Sequence, residues 1–391
     1  LTSQPTTPQK IYFKGLNALR FGAAYLVVIH HAETIRQKYG LFHLQNWSFF
    51  QNGGLAVQFF FVLSGFLITY LLLGEIQKTQ TINIGFFYMR RILRIWPLYF
   101  LIVFLGAFLV PTILESMNYP YEKKYTFGQA FPFFLVFQSF MVNVFFGSHL
   151  LEPLWSIGVE EYFYLLVAPF VKWFRKNILP LLFGIIGLKI SLEIFFYIGK
   201  NYLHFAENHL FTVMQEVVGM LAFEMMAIGG LGAWTVFFHR QKVEKSIWFS
   251  PKVQLLLFAL IILRLTAHLF LAENVLLYKI FFTTPVLKWV TEGVLFLWLI
   301  LNIAVNPKSL LSLNHCLLHE LGEISYGIYM YQMLVIFAAI FLLKKFLLQN
   351  SPFVGSLVYY IFVSFGIIFV AYCSKRFFED YFLRFSNRFR K

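Results

Sequence analysis

Apolar residues in this chain come in long runs separated by short polar stretches. They show neither the alternation of strands nor the one-sided stripe of a surface helix. A helix needs about 20 apolar residues to cross the hydrocarbon of a bilayer. Eleven segments qualify: 15–35, 53–74, 95–116, 127–147, 154–171, 178–198, 212–238, 253–271, 285–305, 322–343 and 353–373. The pattern predicts an all-α fold, a polytopic bundle of membrane helices.

Charge orients the crossings. Excess Lys and Arg mark cytoplasmic loops. Lys10 and Lys14 place the N-terminus inside, and Lys375, Arg376, Arg384, Arg388, Arg390 and Lys391 place the C-terminus inside. Lys78, Arg90, Arg91 and Arg94 form one inner loop, Lys172, Arg175 and Lys176 another, and Arg240, Lys242, Lys245 and Lys252 a third. These assignments agree with one another but clash with eleven crossings. Segment 95–116 leads out, and segment 154–171 must lead in to deliver Lys172. Segment 127–147 is therefore expected to be re-entrant or interfacial, which leaves about ten transmembrane helices with both termini cytoplasmic. Irregular backbone at membrane depth is tolerated where it is buried in protein or lines a cavity.

Composition sharpens the class. The 391 residues are 59% hydrophobic and 13% charged, against about 25% charged for a soluble domain. The net charge of +14 is accounted for by inside loops, so no nucleic-acid partner is implied. Cys316 and Cys373 offer neither a disulfide framework nor zinc spacing. The expected organisation is a single membrane domain, 1–391 with its core at 11–385, and no soluble second domain.

Ionisable side chains at membrane depth are costly, and are usually functional or paired. Lys189 with Glu193 and Lys288 with Glu292 sit at i,i+4 and read as structural pairs. Glu216, Glu224 and Arg264 have no evident local partner. Arg20 and His31 are eleven residues apart, about 16 Å of rise and close to three full turns, so they share a face. A buried histidine is the usual general base near neutral pH, and equally a residue that bonds a neighbouring helix. Spacing alone favours neither. Glu160 and Glu161 reach a depth similar to His31, where a carboxylate would orient an imidazole or pair with an arginine. Only one of them can point at His31, and spacing does not say which.

In "FYMRRILRIWPLYF", Arg90, Arg91 and Arg94 stand at the inner mouth. They read as a topology anchor or, together with Arg20, as a grip on phosphates, which guanidinium forks bind bidentately. A phosphorylated nucleotide with a long thin arm, coenzyme A, fits that layout. "HCLLHE" places His315 and His319 at i,i+4 without a third ligand, so no metal is expected. Gly229, Gly230 and Gly232 read as close helix packing.

Six segments in order carry a family resemblance. Arg20 and His31 fit an R-x10-H signature, followed by "FFFVLSGFLIT", "RRILRIWPLYF", "LWSIGVEEYFYL", "LGEISYGIYMYQ" and "FFEDYFLRF". The chain resembles the acyltransferase 3 family of integral membrane acyltransferases over its whole length. The resemblance implies a ten-helix domain in a bacterial inner membrane. Such a domain moves an acyl group, foremost acetyl, from cytoplasmic acyl-CoA to a hydroxyl of a carbohydrate or glycolipid, polysaccharide or lipopolysaccharide, on the outer side. Departures are present: Asn17 and Gln58 stand where aspartate is common, Gln332 replaces the late histidine, and Tyr381 occupies the place of a closing proline.

The expected mechanism places the donor phosphates on Arg90, Arg91, Arg94 and Arg20, and makes His31 the base toward the acceptor hydroxyl. Glu160 or Glu161 orients the imidazole; an acyl-histidine intermediate stays open. No metal enters. The partners expected are the lipid bilayer, the acceptor and, as an option left open, a second copy of the chain. The rival class is a transporter or exporter whose buried charges form a solute path. No matched pair of Gly/Pro-broken half-helices appears in its two halves, which argues against it. A non-catalytic sensor of acyl-CoA is the third reading.

Overall fold

The computed structural model describes residues 13, 15–118, 124–147, 149–203, 205–270, 275–278 and 285–389. Lys10, Lys14, Arg390 and Lys391, part of the charge pattern that orients the termini, lie outside the described residues. Among the described residues every regular element is helical. In chain order the long helices begin with α1 (Leu16–Lys38), α2 (Gly53–Thr79) and α3 (Ile84–Phe104). A π turn at Leu105–Leu109 prolongs α3 to Ser116.

Among the described residues eight helices are long and apolar enough to cross a membrane. The chain is thus a multi-pass membrane protein by its helices. α1, with 23 residues, has spanning length but falls outside that set. It carries Arg20, His30, His31, Glu33 and Arg36, which lower its hydropathy.

Segment 127–147 is not one helix. It forms α4 (Phe127–Leu135) and α5 (Ser139–Phe146), nine and eight residues long. Those lengths are about 14 and 12 Å of rise, under half of a hydrocarbon core of about 30 Å. The break is made by Phe137 in the left-handed region, φ +59°. Its polar groups are met inside the protein: Gln138 donates its backbone N–H to Phe133 at 2.7 Å, and the Tyr99 hydroxyl donates to the Phe134 carbonyl at 3.1 Å. The Phe137 ring stacks on Tyr99 at 4.4 Å.

Next comes α6 (Trp155–Trp173), against which the break packs. Gly158 of α6 has no side chain because the Phe137 carbonyl occupies that space. α7 (Leu179–Asn201) follows. Segment 212–238, expected as one helix, is also divided, into α8 (His209–Met220) and α9 (Phe223–Glu244). Here a freed carbonyl, that of Val218, accepts Lys189 Nζ at 2.7 Å. Lys189 also lies 3.3 Å from Glu193 and 4.0 Å from Glu224, so Glu224 is paired across helices.

The chain continues through α10 (Pro251–Phe270), of 20 residues and likewise outside the eight, and α11 (Pro285–Ala304). Arg264 of α10 donates to Glu292 of α11 from Nε at 3.1 Å and Nη2 at 2.7 Å. The expected partner of Glu292 was Lys288, four residues away. The cross-helix guanidinium takes its place because a planar fork meets one carboxylate with two bonds.

α12 (Cys316–Glu323), α13 (Ser325–Gln349), α14 (Pro352–Ser374) and α15 (Asp380–Ser386) complete the chain. α2 is the centre of the bundle. Gly65 of α2 meets the Met226 carbonyl, and Gly229 of α9 meets the Val62 carbonyl, so no Cβ fits at either crossing. Small residues let membrane helices approach at backbone distance. At the other extreme α7 turns Phe183, Leu188, Ile194 and Phe195 outward, a face suited to lipid.

Candidate functional site

A cavity of about 1320 Å³ runs beside α2. Its α2 wall extends from Val57 to Thr79, 22 steps and about 33 Å of rise. The lower part is lined by Arg20 of α1, Arg90, Arg91 and Arg94 of α3, Arg240 of α9, and Tyr326 of α13. The upper part takes in Phe60 and Phe61 of α2, Ser156 of α6 and Tyr329 of α13, and Glu160 of α6 faces the arginines between the two.

The arginines differ in what holds them. Asn83 caps α3 by accepting the Phe86 N–H at 3.0 Å, which starts the helix about two turns before the cluster. Arg90 donates to Glu75 at 2.8 Å and to the Phe389 carbonyl at 2.7 Å, so its fork is already engaged. Arg91 lies over the Phe87 ring at 5.9 Å, and its Nε is buried without a partner. Arg20, Arg91 and Arg94 form no hydrogen bond or ion pair among the described residues. They are close enough to feel one another's charge, and Glu160 is the carboxylate nearest in effect to Arg20. The lining of this cavity carries Arg20, Lys78, Arg90, Arg91, Arg94 and Arg240 against Glu75 and Glu160, an excess of positive charge in a partly desolvated space. That arrangement favours a polyanionic guest.

A chain of hydroxyls lies beside them. Tyr164 donates to Glu160 Oε2 at 2.8 Å. A phenol has one proton, so the 2.5 Å contact with Ser64 has Ser64 as donor. Nothing in the one-dimensional pattern pairs Ser64 with Tyr164, a hundred residues apart. The signal available was their polarity inside apolar runs. At the upper end Ser156 and Tyr329 are 2.8 Å apart, and Tyr329 donates to the Pro153 carbonyl at 2.8 Å.

Glu161 projects away from this cavity and accepts Trp96 Nε1 at 2.9 Å. Consecutive residues point about 100° apart on a helix, which is why Glu160 faces the cavity and Glu161 the α3 side. Neither carboxylate is hydrogen-bonded to His31. His31 is half-buried, is not among the lining residues, and receives no hydrogen bond among the described residues. Its height can be read from α2. Gly53 packs directly on His30, and Val57 lies four residues, about 6 Å, further in. Along α2 the lining thus ends about one helical turn below the level of His30, while on α1 it includes only Arg20, eleven residues before His31.

The family departures are built into the packing. Gln332 is fully buried, donates to the Tyr329 carbonyl at 2.9 Å, and leaves its own oxygen without a partner. Gln58, next to Val57, likewise buries an unpartnered oxygen. The Asn17 backbone lies against Gly322, where no Cβ fits. A second cavity, of about 520 Å³, shares Arg20, Arg94 and Tyr326 with the first and adds Lys375, Glu379 and Arg384 from the closing segment. Among the described residues no three His, Cys, Asp or Glu side chains group as metal ligands.

Fold and site together define a multi-pass helical membrane protein with a long cationic cavity opening among basic residues. The sequence model of one family, described as an acyltransferase domain, matches residues 13–376. The chain belongs to that family, acyltransferase 3. It is 30% identical over 186 residues to the peptidoglycan O-acetyltransferase OatA of Listeria monocytogenes, covering 45% of this chain and 27% of that protein. It is 32% identical over 202 residues to the O-acetyltransferase OatA of Staphylococcus aureus, covering 49% and 31%. A putative peptidoglycan O-acetyltransferase, YrhL of Bacillus subtilis, is 30% identical over 170 residues, covering 41% and 24%. The matched regions thus span about a quarter to a third of these relatives. No solved structure matches.

Proposed function

We propose that this protein is a membrane O-acyltransferase that passes an acetyl group from cytoplasmic acetyl-CoA to a hydroxyl of a surface carbohydrate. The observation that carries the reading is the shape and charge of the cavity. Its α2 wall is about 33 Å long, comparable to the hydrocarbon thickness. Its lower part holds three arginines without protein partners, and along α2 its lining stops about one turn before Gly53, which packs on His30, the neighbour of His31. A molecule with phosphates at one end and a thioester on a thin arm at the other matches both ends at once.

In this reading Arg20, Arg91 and Arg94 hold the donor phosphates. Arg90, through Glu75 and Phe389, fixes the geometry of the mouth. The arm lies along Ser64, Phe60 and Val57. His31 takes the proton of the acceptor hydroxyl, which attacks the acyl carbonyl, and the thiolate leaves. Glu160 balances Arg20 within the site. The family supports acyl transfer, and the names of the relatives support peptidoglycan glycan as the acceptor; lipopolysaccharide appears in none of those names. Both termini are cytoplasmic, α1 and α10 complete ten crossings, and α4–α5 is a re-entrant pair that narrows the outer half.

The test uses purified protein, acetyl-CoA and soluble peptidoglycan fragments. His31→Ala is expected to lower acetyl transfer about 10²–10⁴-fold, with coenzyme A binding by calorimetry unchanged. Near-normal transfer by that variant would remove the base from His31. Wild-type protein that takes up no coenzyme A would remove the donor.

A further inference from the structure

The imidazole read as the base has no carboxylate holding it, yet a second imidazole lies against it. We propose that His30 is the positioning residue for His31: anchored to a backbone carbonyl and seated over a glycine, it is the fixed surface on which the His31 ring rests. The inference builds on the reading of His31 as the base.

The His30 anchor is specific. Its Nδ1 lies 2.7 Å from the Phe50 carbonyl oxygen. A carbonyl only accepts, so Nδ1 carries the proton and the tautomer is set. On another side, a Cβ at Gly53 would fall 2.6 Å from His30 Cγ. The missing side chain at 53 is what admits the ring. The short helical turn Ser48–Gln51 that supplies the carbonyl is itself held. Asn52 Nδ2 donates to the Ser48 carbonyl at 2.9 Å and to the Leu265 carbonyl of α10 at 2.9 Å, and Ser48 Oγ donates to the same Leu265 oxygen at 3.1 Å. His30 is therefore referenced to three parts of the bundle: its own helix, the start of α2, and α10.

His31 has no comparable support. Its ring meets His30 edge to face, with centroids 5.2 Å apart at 62°. The carboxylates expected to orient it are committed elsewhere, Glu160 to Tyr164 and Glu161 to Trp96. Fixing one ring of such a pair limits the rotation of the other. A reacting group displaced by about 1 Å can lose about 10²-fold in rate, so a rigid neighbour suffices to matter. A purely structural His30, tying the outer loop to α1, would affect folding and leave turnover intact.

The experiment separates these roles. In purified protein, His30→Leu is expected to lower kcat for transfer from acetyl-CoA to soluble peptidoglycan fragments about 10-fold or more. The KM for acetyl-CoA and the melting temperature stay near wild type. His30→Asn keeps an N–H donor where Nδ1 was, and is expected to recover kcat to within about 3-fold of wild type. Gly53→Ala displaces the ring without removing it, and is expected to lower kcat as His30→Leu does. Wild-type kcat in His30→Leu, or an Asn variant no better than Leu, overturns the inference. His31→Ala tells the two failures apart. If it retains transfer, the base reading has failed and takes this role with it. If it is inactive while His30→Leu is fully active, the positioning role alone has failed.

Discussion

At the scale of single residues, the cavity separates arginines that look alike in the sequence. Arg90, Arg91 and Arg94 were one cluster as read from the chain. In the bundle Arg90 is spent on Glu75 and Phe389, whereas Arg94 and Arg20 are uncommitted. A charge-assisted hydrogen bond is worth about 1.5–3 kcal/mol. Arg94→Ala is therefore expected to weaken coenzyme A binding about 10–100-fold by calorimetry. Arg90→Ala is expected to act less on affinity than on the shape of the mouth, with a smaller loss. Equal losses from the two would mean that the Glu75 pair opens when the donor binds. The identity of the basic cluster was legible because charges this dense stand out in an apolar chain. Which arginine stays free was not, since it depends on Glu75 from α2 and on a carbonyl almost 300 residues away.

At the scale of elements, helix breaks are where reading and structure part most clearly. Charge on both sides of segment 127–147 demands an even count of crossings, so the pattern predicts that this segment is re-entrant or interfacial. Its division into two short helices at Phe137 adds the local reason. The break after Met220 is not marked in the pattern, because Gly219 is a single small residue inside a continuous apolar run. Tertiary bonds make it affordable in free energy, with Lys189 donating to the Val218 carbonyl. Partner choice shows the same limit. Lys288 is the i,i+4 neighbour of Glu292, yet Arg264 reaches it from another helix with two bonds. Removing one partner of a buried pair costs about 3–5 kcal/mol. Arg264→Met is thus expected to lower stability by that amount in chemical unfolding of the micelle-embedded protein. The double variant Arg264→Met/Glu292→Leu should recover most of the loss. A single variant as stable as wild type would show the pair to be dispensable.

At the scale of the whole molecule, the proposed direction of transfer depends on topology. Ten crossings with an inner N-terminus put Ser351 outside and Lys245 inside. In a background with Cys316 and Cys373 replaced by serine, an impermeant thiol reagent is expected to label Ser351→Cys in intact cells. It should label Lys245→Cys only after permeabilisation. The reverse pattern would place the arginine mouth on the outside and defeat a cytoplasmic donor. Agreement would leave the cavity as the route into the bundle, since its wall follows α2 over a length comparable to the thickness of the hydrocarbon.

By itself the sequence determined the class: long apolar runs admit only helices in a membrane, because every backbone polar group there must be met within its own segment. The pattern of basic loops argued the number and direction of crossings, and six short motifs pointed to the family. Only the tertiary structure decided which side chains meet. Local periodicity places a residue on a helix face, but it does not say which helix that face will touch. The hydroxyl chain from Ser64 to Glu160, the crossing of α2 and α9 at Gly65 and Gly229, and the seat of His30 over Gly53 all arise from contacts between segments far apart in the chain.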